Sequence, residues 1–417
     1  MTTHRAADYR AAEHLDAAGL DAAGLDAADL DAADPLARYR DLFVADDSVR
    51  AYLDGNSLGR PLAASIDRVR DFMTEQWGGR LIRGWDEGWL DLAQTIGDDL
   101  GRVTLGAAAG QTTIGDSTTV LLYKLVRAAV DARPGRTELV IDRDNFPTDR
   151  YVLEGIAAER GLTVRWIDAG DPTPEALAAV LTERTALVVL SAVSYRSGFL
   201  ADVAALTAIA HESGALILWD LCHSAGVVPA ELDAWGVDLA VGCTYKYLNG
   251  GPGSPAFAYV AERHQGLRQP IQGWLGSANP FEMGQGYRPA EGIRGFTSGT
   301  PPIIGMLAMR DMIALLDEVG IGAVRTKSVV LTEFAVALVD DVLPEARLAS
   351  PRDPDRRGSH ITVDHDGFEA IMPELWRQGI VPDFRRPNGI RLGLSPLSTS
   401  FAEVETGIAA IAELVRA

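Results

Sequence analysis

The chain has 417 residues, 47% of them apolar and 23% charged, ordinary proportions that exclude wholesale disorder and, at roughly 150 residues per domain, predict two or three domains. A net charge of −20 repels phosphate backbones and sets nucleic acid aside as a partner. Two cysteines, Cys222 and Cys243, exclude a disulfide framework and an all-cysteine zinc site, and no apolar run reaches the length of a membrane span or a secretory leader, so a reduced cytoplasmic protein is expected.

Residues 1–50 read as a low-complexity acidic extension and arm. Positions 1–34 hold eight acids against Arg5 and Arg10, and 15–34 repeat LDAAG, LDAAG, LDAAD, LDAAD. A five-residue step places successive leucines about 140° apart around a helix, so no apolar face accumulates. A frayed or disordered segment is expected, and its removal should leave the fold intact.

From 51 to 305 strand-like and helix-like stretches alternate. Strand Leu139–Ile141 leads through DRDNFPTDR to helix YVLEGIAAERG; then come strand LTVRWID, helix TPEALAAVL, strand TALVVLSAVS, helix DVAALTAIAHESG, strand ALILWDL and VDLAVGCTYKYLNG. The strand candidates are continuous apolar runs, as strands buried on both faces should be. The prediction is α/β: a mostly parallel central sheet covered by helices, with chemistry at the carboxyl ends of its strands. From 306 to 417 the long helical stretches Gly305–Glu318 and Lys327–Val342 precede short strands in SHITVDH and GIRLGLS and a final helix from about Phe401, which predicts a smaller α+β C-terminal domain.

Four loops carry candidate chemistry. In IGDSTTVLLYKLV the hydroxyls and free N–H groups at a helix start suit an anion, although Ser, Thr and Asp are also ordinary capping residues. In DRDNFPTDR, Phe146 is placed to stack on a flat ligand or to anchor the loop. In LILWDLCHSAG, Asp220 ends an apolar strand, where a carboxylate needs a cation or a turn to cap. With His223 it makes two metal ligands, but no third is evident; a protonated heterocyclic nitrogen would suit it equally, and no metal is expected. Fourth, Lys246 follows the strand of VDLAVG and precedes a glycine-rich turn. The chain has three lysines, Lys124, Lys246 and Lys327. Lys124 lies within the helix beginning near Ser117 and Lys327 opens another, so both read as surface residues. A partly desolvated lysine after a strand is a nucleophilic amine suited to Schiff-base chemistry. With Asp220 ahead of it, Lys246 suggests pyridoxal phosphate: lysine on the aldehyde, aspartate on the ring nitrogen, helix start on the phosphate.

The motifs YLDGNSLG (52–59), FPTD (146–149), WDLCHSAG (219–226), CTYKYLNGGPGSPAF (243–257), GW (273–274), GTPP (299–302) and IRLGLSPL (390–397) resemble kynureninase, a pyridoxal-phosphate enzyme family of the aspartate-aminotransferase fold, fold type I. The resemblance spans about residues 51 to 400, and the pentads have no counterpart in it. It implies a fold type I chain using pyridoxal 5'-phosphate for hydrolytic Cβ–Cγ cleavage of L-kynurenine or 3-hydroxykynurenine to anthranilate or 3-hydroxyanthranilate and L-alanine, in tryptophan catabolism. It makes Lys246 the Schiff-base lysine, Tyr245 a phosphate-binding and proton-relaying residue, and Asp220 the ring-nitrogen partner, with Asp149 near the same edge. Phe146 becomes the stacking residue, with Pro147 and Thr148 completing its motif. Thr118 and Thr119 become phosphate contacts, and Ser191 and His223 line the cofactor pocket. Trp274 and Thr300 become phosphate contacts from a neighbouring subunit, which implies a homodimer. Arg391 becomes the clamp for the substrate α-carboxylate, with Asn56 and Ser57 beside it and Arg294 as the alternative arginine. Cys222 stands where alanine is expected.

Three other readings stand beside this one. A cysteine desulfurase or selenocysteine lyase needs a mobile loop cysteine, and both cysteines here flank cofactor residues. A kynureninase-like enzyme of secondary metabolism would take a substituted 3-hydroxykynurenine. A non-catalytic pyridoxal-phosphate fold would not need Lys246, Asp220 and Arg391 together.

Overall fold

A computed structural model describes residues 26–168 and 170–417. Its strands, in chain order, are β1 (Ala51–Leu53), β2 (Thr112–Gly115), β3 (Glu138–Asp142), β4 (Thr163–Ile167), β5 (Thr185–Ser191), β6 (Leu216–Asp220), β7 (Leu239–Gly242), β8 (Ala256–Val260), β9 (Arg347–Leu348), β10 (His360–Asp364), β11 (Ile380–Arg385) and β12 (Gly389–Gly393). Seven build a large sheet in the order β2-β8-β7-β6-β5-β3-β4. From β4 through β7 neighbours run parallel, and β8 and β2 close the edge antiparallel. The continuous apolar runs behave as expected in β3, β6 and β7, buried at every residue, whereas β4 at the sheet edge is mostly half-buried. β8, not anticipated, is buried throughout as well. Two apolar clusters, one holding Val140, Ile217 and Trp219 and the other Leu139, Leu216 and Leu218, cover the two faces of this sheet.

The smaller sheet runs β1-β11-β12-β10-β9. The sequence placed residues 51–53 with the large domain, but β1 pairs parallel with β11, Ala51 opposite Ile380, and Ala51 and Leu53 sit in the small core. At the other boundary, helix Ile303–Val319 sends Met306, Met309 and Ile313 into the large core, past the division drawn at 305. Both shifts have one cause. Each segment carries an apolar face, and which sheet receives it depends on pairing that local patterning does not encode.

The acidic extension also departs from expectation. Its pentads before residue 26 lie outside the described residues, but Ala27–Ala33 is a helix capped by Asp26. Ala27 and Leu30, three positions apart and hence on one face, are buried in the small core. A helix this short needs one face for two turns, so the drift of the repeat does not matter. Asp31 accepts hydrogen bonds from the backbone of Phe401 (3.1 Å) and Ala402 (3.0 Å), at the start of helix Phe401–Arg416, and pairs with Arg40. Asp34 meets Lys327 at 2.7 Å with both side chains 2% exposed, so Lys327 is a core residue and not a surface one. Loss of residues 1–34 removes this whole contact.

A buried charge deprived of its partner costs about 3 kcal/mol or more, whereas removing both partners is often neutral. Asp34→Ala is therefore expected to lower the urea midpoint clearly, and Asp34→Ala combined with Lys327→Met to recover most of the loss. Equal midpoints for parent and single variant would mean that Lys327 has another counter-charge.

Candidate active site

Because β3, β5, β6 and β7 run parallel, their carboxyl ends share one edge of the sheet, and the polar residues that follow them converge there. Asp220, the last residue of β6, lies opposite Ser191, the last of β5. Past β7 the chain reaches Tyr245 and Lys246. The Lys246 side chain is buried, with Nζ 3.2 Å from His223 Nε2 and 3.5 Å from its Nδ1. Nζ also faces the rings of Phe146 and Tyr245, at 6.0 and 5.9 Å from their centroids. Loop 52–59 presses on this segment. Gly59 N donates to the Tyr245 carbonyl at 2.9 Å, and a Cβ on Gly59 would stand 2.4 Å from the Lys246 carbonyl oxygen, so only glycine fits.

The other two lysines are taken. Lys124, expected on the surface, is 1% exposed, and its Nζ donates to Asp116 Oδ2 (2.5 Å) and the Phe296 carbonyl (3.0 Å). Among the described residues Lys246 is the lysine with no carboxylate in an ion pair.

Phe146 immediately precedes helix Pro147–Arg160, with Pro147 in its first turn and Thr148 beside it, both half-buried. Its ring meets Tyr195 edge-on at 5.3 Å. Asp149, also in that first turn, is 1% exposed, and its Oδ2 has no hydrogen-bond partner among the described residues. Burial first, then the neighbouring Asp220 carboxylate, push Asp149 well above the usual carboxylate range. Asp220 Oδ1 accepts from Cys222 N at 2.7 Å. Behind them Ser191 Oγ donates to Asn145 Oδ1 (3.0 Å), and Asn145 Nδ2 donates to Asp142 Oδ2 (2.8 Å). Burial raises Asp142 to about 7. Burial thus favours the neutral form of two of the three acids that share this edge. Cys222, in place of the expected alanine, is buried and accepts from Cys243 N at 3.2 Å, a tolerated substitution.

Thr118 and Thr119 open helix Thr118–Asp131 after the cap Ser117, and Thr118 Oγ1 lies 3.9 Å from Cys222 Sγ. The helix start therefore faces the Asp220 loop, and Asp116, just ahead of it, is paired with Lys124. His223 is fully buried between cations. Burial, then Lys246 and Arg391, hold it well below the ordinary imidazole value, so it is neutral.

Arg391 reaches this pocket from the small sheet. It lies in β12, 1% exposed, and its Nη1 donates to the Tyr195 carbonyl at 2.6 Å while Nη2 donates to Ser57 Oγ at 2.7 Å. Asn56 is fully buried against it. Arg294 instead donates to the carbonyls of Ser277 and Ala278. Lys246, Tyr245, Phe146, Asp149, Asp220, His223, Arg391, Asn56 and Ser57 are thus gathered in one region. Trp274 and Thr300 are not: Trp274 is 39% exposed and packs on Phe281, and Thr300 is exposed at the rim of an apolar groove with Trp77, Leu81 and Trp85. Sequence reasoning missed Asn145, Tyr195, His360, whose ring stands 5.6 Å from that of His223, and Asp383 and Asp54, 2.8 and 3.8 Å from Arg391 Nη2. Asn145 and Asp54 had a signal, their places in the DRDNFPTD and YLDGNSLG stretches; Tyr195, His360 and Asp383 sit on segments that folding brings near.

The residues fit pyridoxal phosphate. An unpartnered buried carboxylate oxygen beside Asp220 suits a protonated ring nitrogen, Phe146 offers a face, the helix start suits a phosphate, and Lys246 is a buried amine. Comparison with known proteins agrees. A profile described as "Kynureninase C-terminal domain" matches residues 324–411, and one described as "Cys/Met metabolism PLP-dependent enzyme" matches 94–263. Among solved structures, a cysteine desulfurase from Thermococcus onnurineus NA1 aligns with a TM-score of 0.78 at 18% identity, covering 91% of this chain and 98% of that one. The cystine C-S lyase C-DES aligns at 0.78 and 19%, covering 88% and 98%. At such identities these share the fold type I architecture and nothing finer. Relatives named kynureninase are much nearer in sequence. That of Pseudomonas fluorescens is 38% identical over 390 residues, and that of Burkholderia pseudomallei (strain 1106a) 39% over 391, each match covering 91% of this chain and 92% of the relative. With this agreement along nearly its whole length, the chain belongs to the kynureninase family of pyridoxal-phosphate enzymes.

Proposed function

We propose that the chain hydrolyses the Cβ–Cγ bond of L-kynurenine or 3-hydroxykynurenine, giving anthranilate or 3-hydroxyanthranilate and L-alanine, on the residues gathered around Lys246. The observation that carries this reading is the buried Lys246 Nζ beside a neutral His223, with Asp220, Asp149 and Arg391 around it. Pyridoxal phosphate, when bound, supplies an aldehyde that condenses with amines and a ring that stores the electron pair left at Cα. Thr118, Thr119 and Tyr245 would hold its phosphate, Phe146 its ring face, Asp220 with Asp149 its ring nitrogen, and Ser191 and His223 its flanks.

Arg391 orients the substrate by its α-carboxylate, with Asn56 and Ser57 bracing the guanidinium. Lys246, once free, takes the Cα proton and later returns one, as a general base and acid with short reach. Neutral His223 adds no positive charge beside that amine. Burial raises the Tyr245 hydroxyl, so it stays protonated and able to donate. Water adds to the γ-carbonyl, and collapse of the hydrate releases the aromatic acid. The desulfurase reading fares badly, because both cysteines of the chain are buried behind strand ends.

A homodimer accompanies this reading, with Trp274 and Thr300 serving the partner's phosphate. Exposed Met73, Trp77, Leu81, Ile82, Phe281 and Ile304 support it, since monomers rarely present so much apolar surface. No described helix is long and apolar enough to cross a membrane, and a cytoplasmic setting is proposed with the rest.

Product analysis with L-kynurenine and 3-hydroxykynurenine side by side tests the reaction. Lys246→Ala is expected to abolish turnover and the linkage trapped by borohydride; peptide mapping that finds the label on Lys124 or Lys327 would sink the assignment. Asp220→Asn is expected to fold but to lose activity by about tenfold or more, because an uncharged partner no longer keeps the ring nitrogen protonated. A rate within about threefold of the parent, roughly 0.65 kcal/mol in barrier, contradicts that role. Arg391→Lys keeps the charge but not two parallel bonds, and kcat/KM should fall by about tenfold or more, at least about 1.4 kcal/mol, with cofactor content unchanged. Full kcat/KM in that variant would assign the carboxylate to another group.

A further inference from the structure

Arginine has five N–H groups, and the structure engages Arg391 along its whole guanidinium. Nη2 donates to Ser57 Oγ and meets Asp383 Oδ2 at 2.8 Å. Nη1 donates to the Tyr195 carbonyl and stands 3.5 Å from His223 Nε2. With the Asn56 amide oxygen turned toward it, Nε donates there at 3.1 Å. The residue is 1% exposed, so water supplies no slack. A carboxylate takes two parallel N–H bonds from an arginine. It can therefore reach Arg391 only in the place of a present partner.

The partners differ in what their departure would cost. The Tyr195 carbonyl is main chain. Asn56 is fully buried and, in the same orientation, also donates to Asp54 Oδ1 at 3.2 Å. Ser57 is neutral and does not repel an anion. Asp383 alone carries the charge of the incoming group while touching Arg391, and it has a second cation at hand: Arg385 Nε lies 2.5 Å from the same Oδ2. Leaving Arg391 would strand neither charge. Register explains the arrangement. Asp383 in β11 stands directly opposite Arg391 in β12, with Arg385 two residues on and so on the same strand face. Asp54, 3.8 Å from Arg391, adds a second acid, raised to about 6 by burial and then by Asp383.

Resting on the reading of Arg391 as the carboxylate clamp, we propose that Asp383 is a resident carboxylate that competes with α-amino acids for Arg391 and passes to Arg385 as they bind, thereby setting how tightly the site holds substrate and product. Such competition weakens the hold on the product amino acid, which carries the same α-carboxylate and must leave.

The test titrates the holoenzyme with L-alanine and with L-alaninamide, which lacks the carboxylate, following the visible spectrum of the bound cofactor. Asp383→Asn keeps the shape and removes the charge. The Kd for alanine is expected to fall about tenfold while that for alaninamide stays within about twofold, so the preference for the carboxylate rises. Asp383→Glu, which keeps the charge, should retain the parent's preference. An Asp383→Asn enzyme that binds alanine more weakly overturns the proposal, because Asp383 then orients the clamp. Equal weakening of both ligands, or an unchanged preference, overturns it as well. Arg391→Lys, measured the same way, separates the two levels: its preference should collapse, and if it does not, the clamp reading itself has failed.

Discussion

One buried guanidinium ties the two halves of this protein together. Arg391 belongs to the small sheet, yet its hydrogen bonds run to the Tyr195 carbonyl beyond β5 of the large sheet and to Ser57 in the loop after β1. A charge this deep is tolerated because a carboxylate, a carbonyl and a hydroxyl surround it. Satisfying it fixes the register of β11 against β12, the path of loop 52–59 and the approach of the small sheet to the strand ends. Close packing follows the same line: a Cβ on Gly393 would fall 1.8 Å from the Asn56 side-chain amide, so glycine is required where the loop crosses β12.

The three lysines illustrate how environment assigns a role to a residue type. All are buried, and rarity alone does not separate them. Lys124 is consumed by Asp116 and a carbonyl, and Lys327 by Asp34. Lys246 instead meets a neutral imidazole and two aromatic rings. An amine held without a counter-charge is available for covalent chemistry, whereas a paired one is a structural element. The acids divide in the same way. Asp116 and Asp34 neutralise lysines, while Asp149 keeps an oxygen unpartnered at the strand edge.

The likeness to cysteine desulfurases and a cystine lyase, beside the nearer likeness to kynureninases, separates scaffold from chemistry. A parallel sheet with its carboxyl ends on one edge provides a place for a cofactor, and the residues at that edge decide what is done with it. Here the cysteines lie behind the strand ends, Cys243 N donating to Cys222 Sγ.

By itself the sequence determined whatever local patterning or chemistry controls. Continuous apolar runs specified β3, β5, β6 and β7, because a strand buried on both faces has no polar side to show. The residues just past those strands, Phe146, Asp220, His223 and Lys246, were legible because strand ends are where a parallel sheet exposes polar groups. Ser117 marked a helix start for the same local reason. Only the tertiary structure decided what depends on distant pairing. β1 joined the small sheet across more than three hundred residues, and Ile303–Val319 stayed with the large one. Ala27 and Leu30 found a core despite a repeat with no continuing face, since two turns need only one match. Lys327 was buried because Asp34, from the other end of the chain, met it, and Lys124 because the distant Phe296 carbonyl joined the nearby Asp116 in taking its amine. Asp383, only eight residues ahead of Arg391, became its partner through the register of β11 against β12, which sets the two directly opposite.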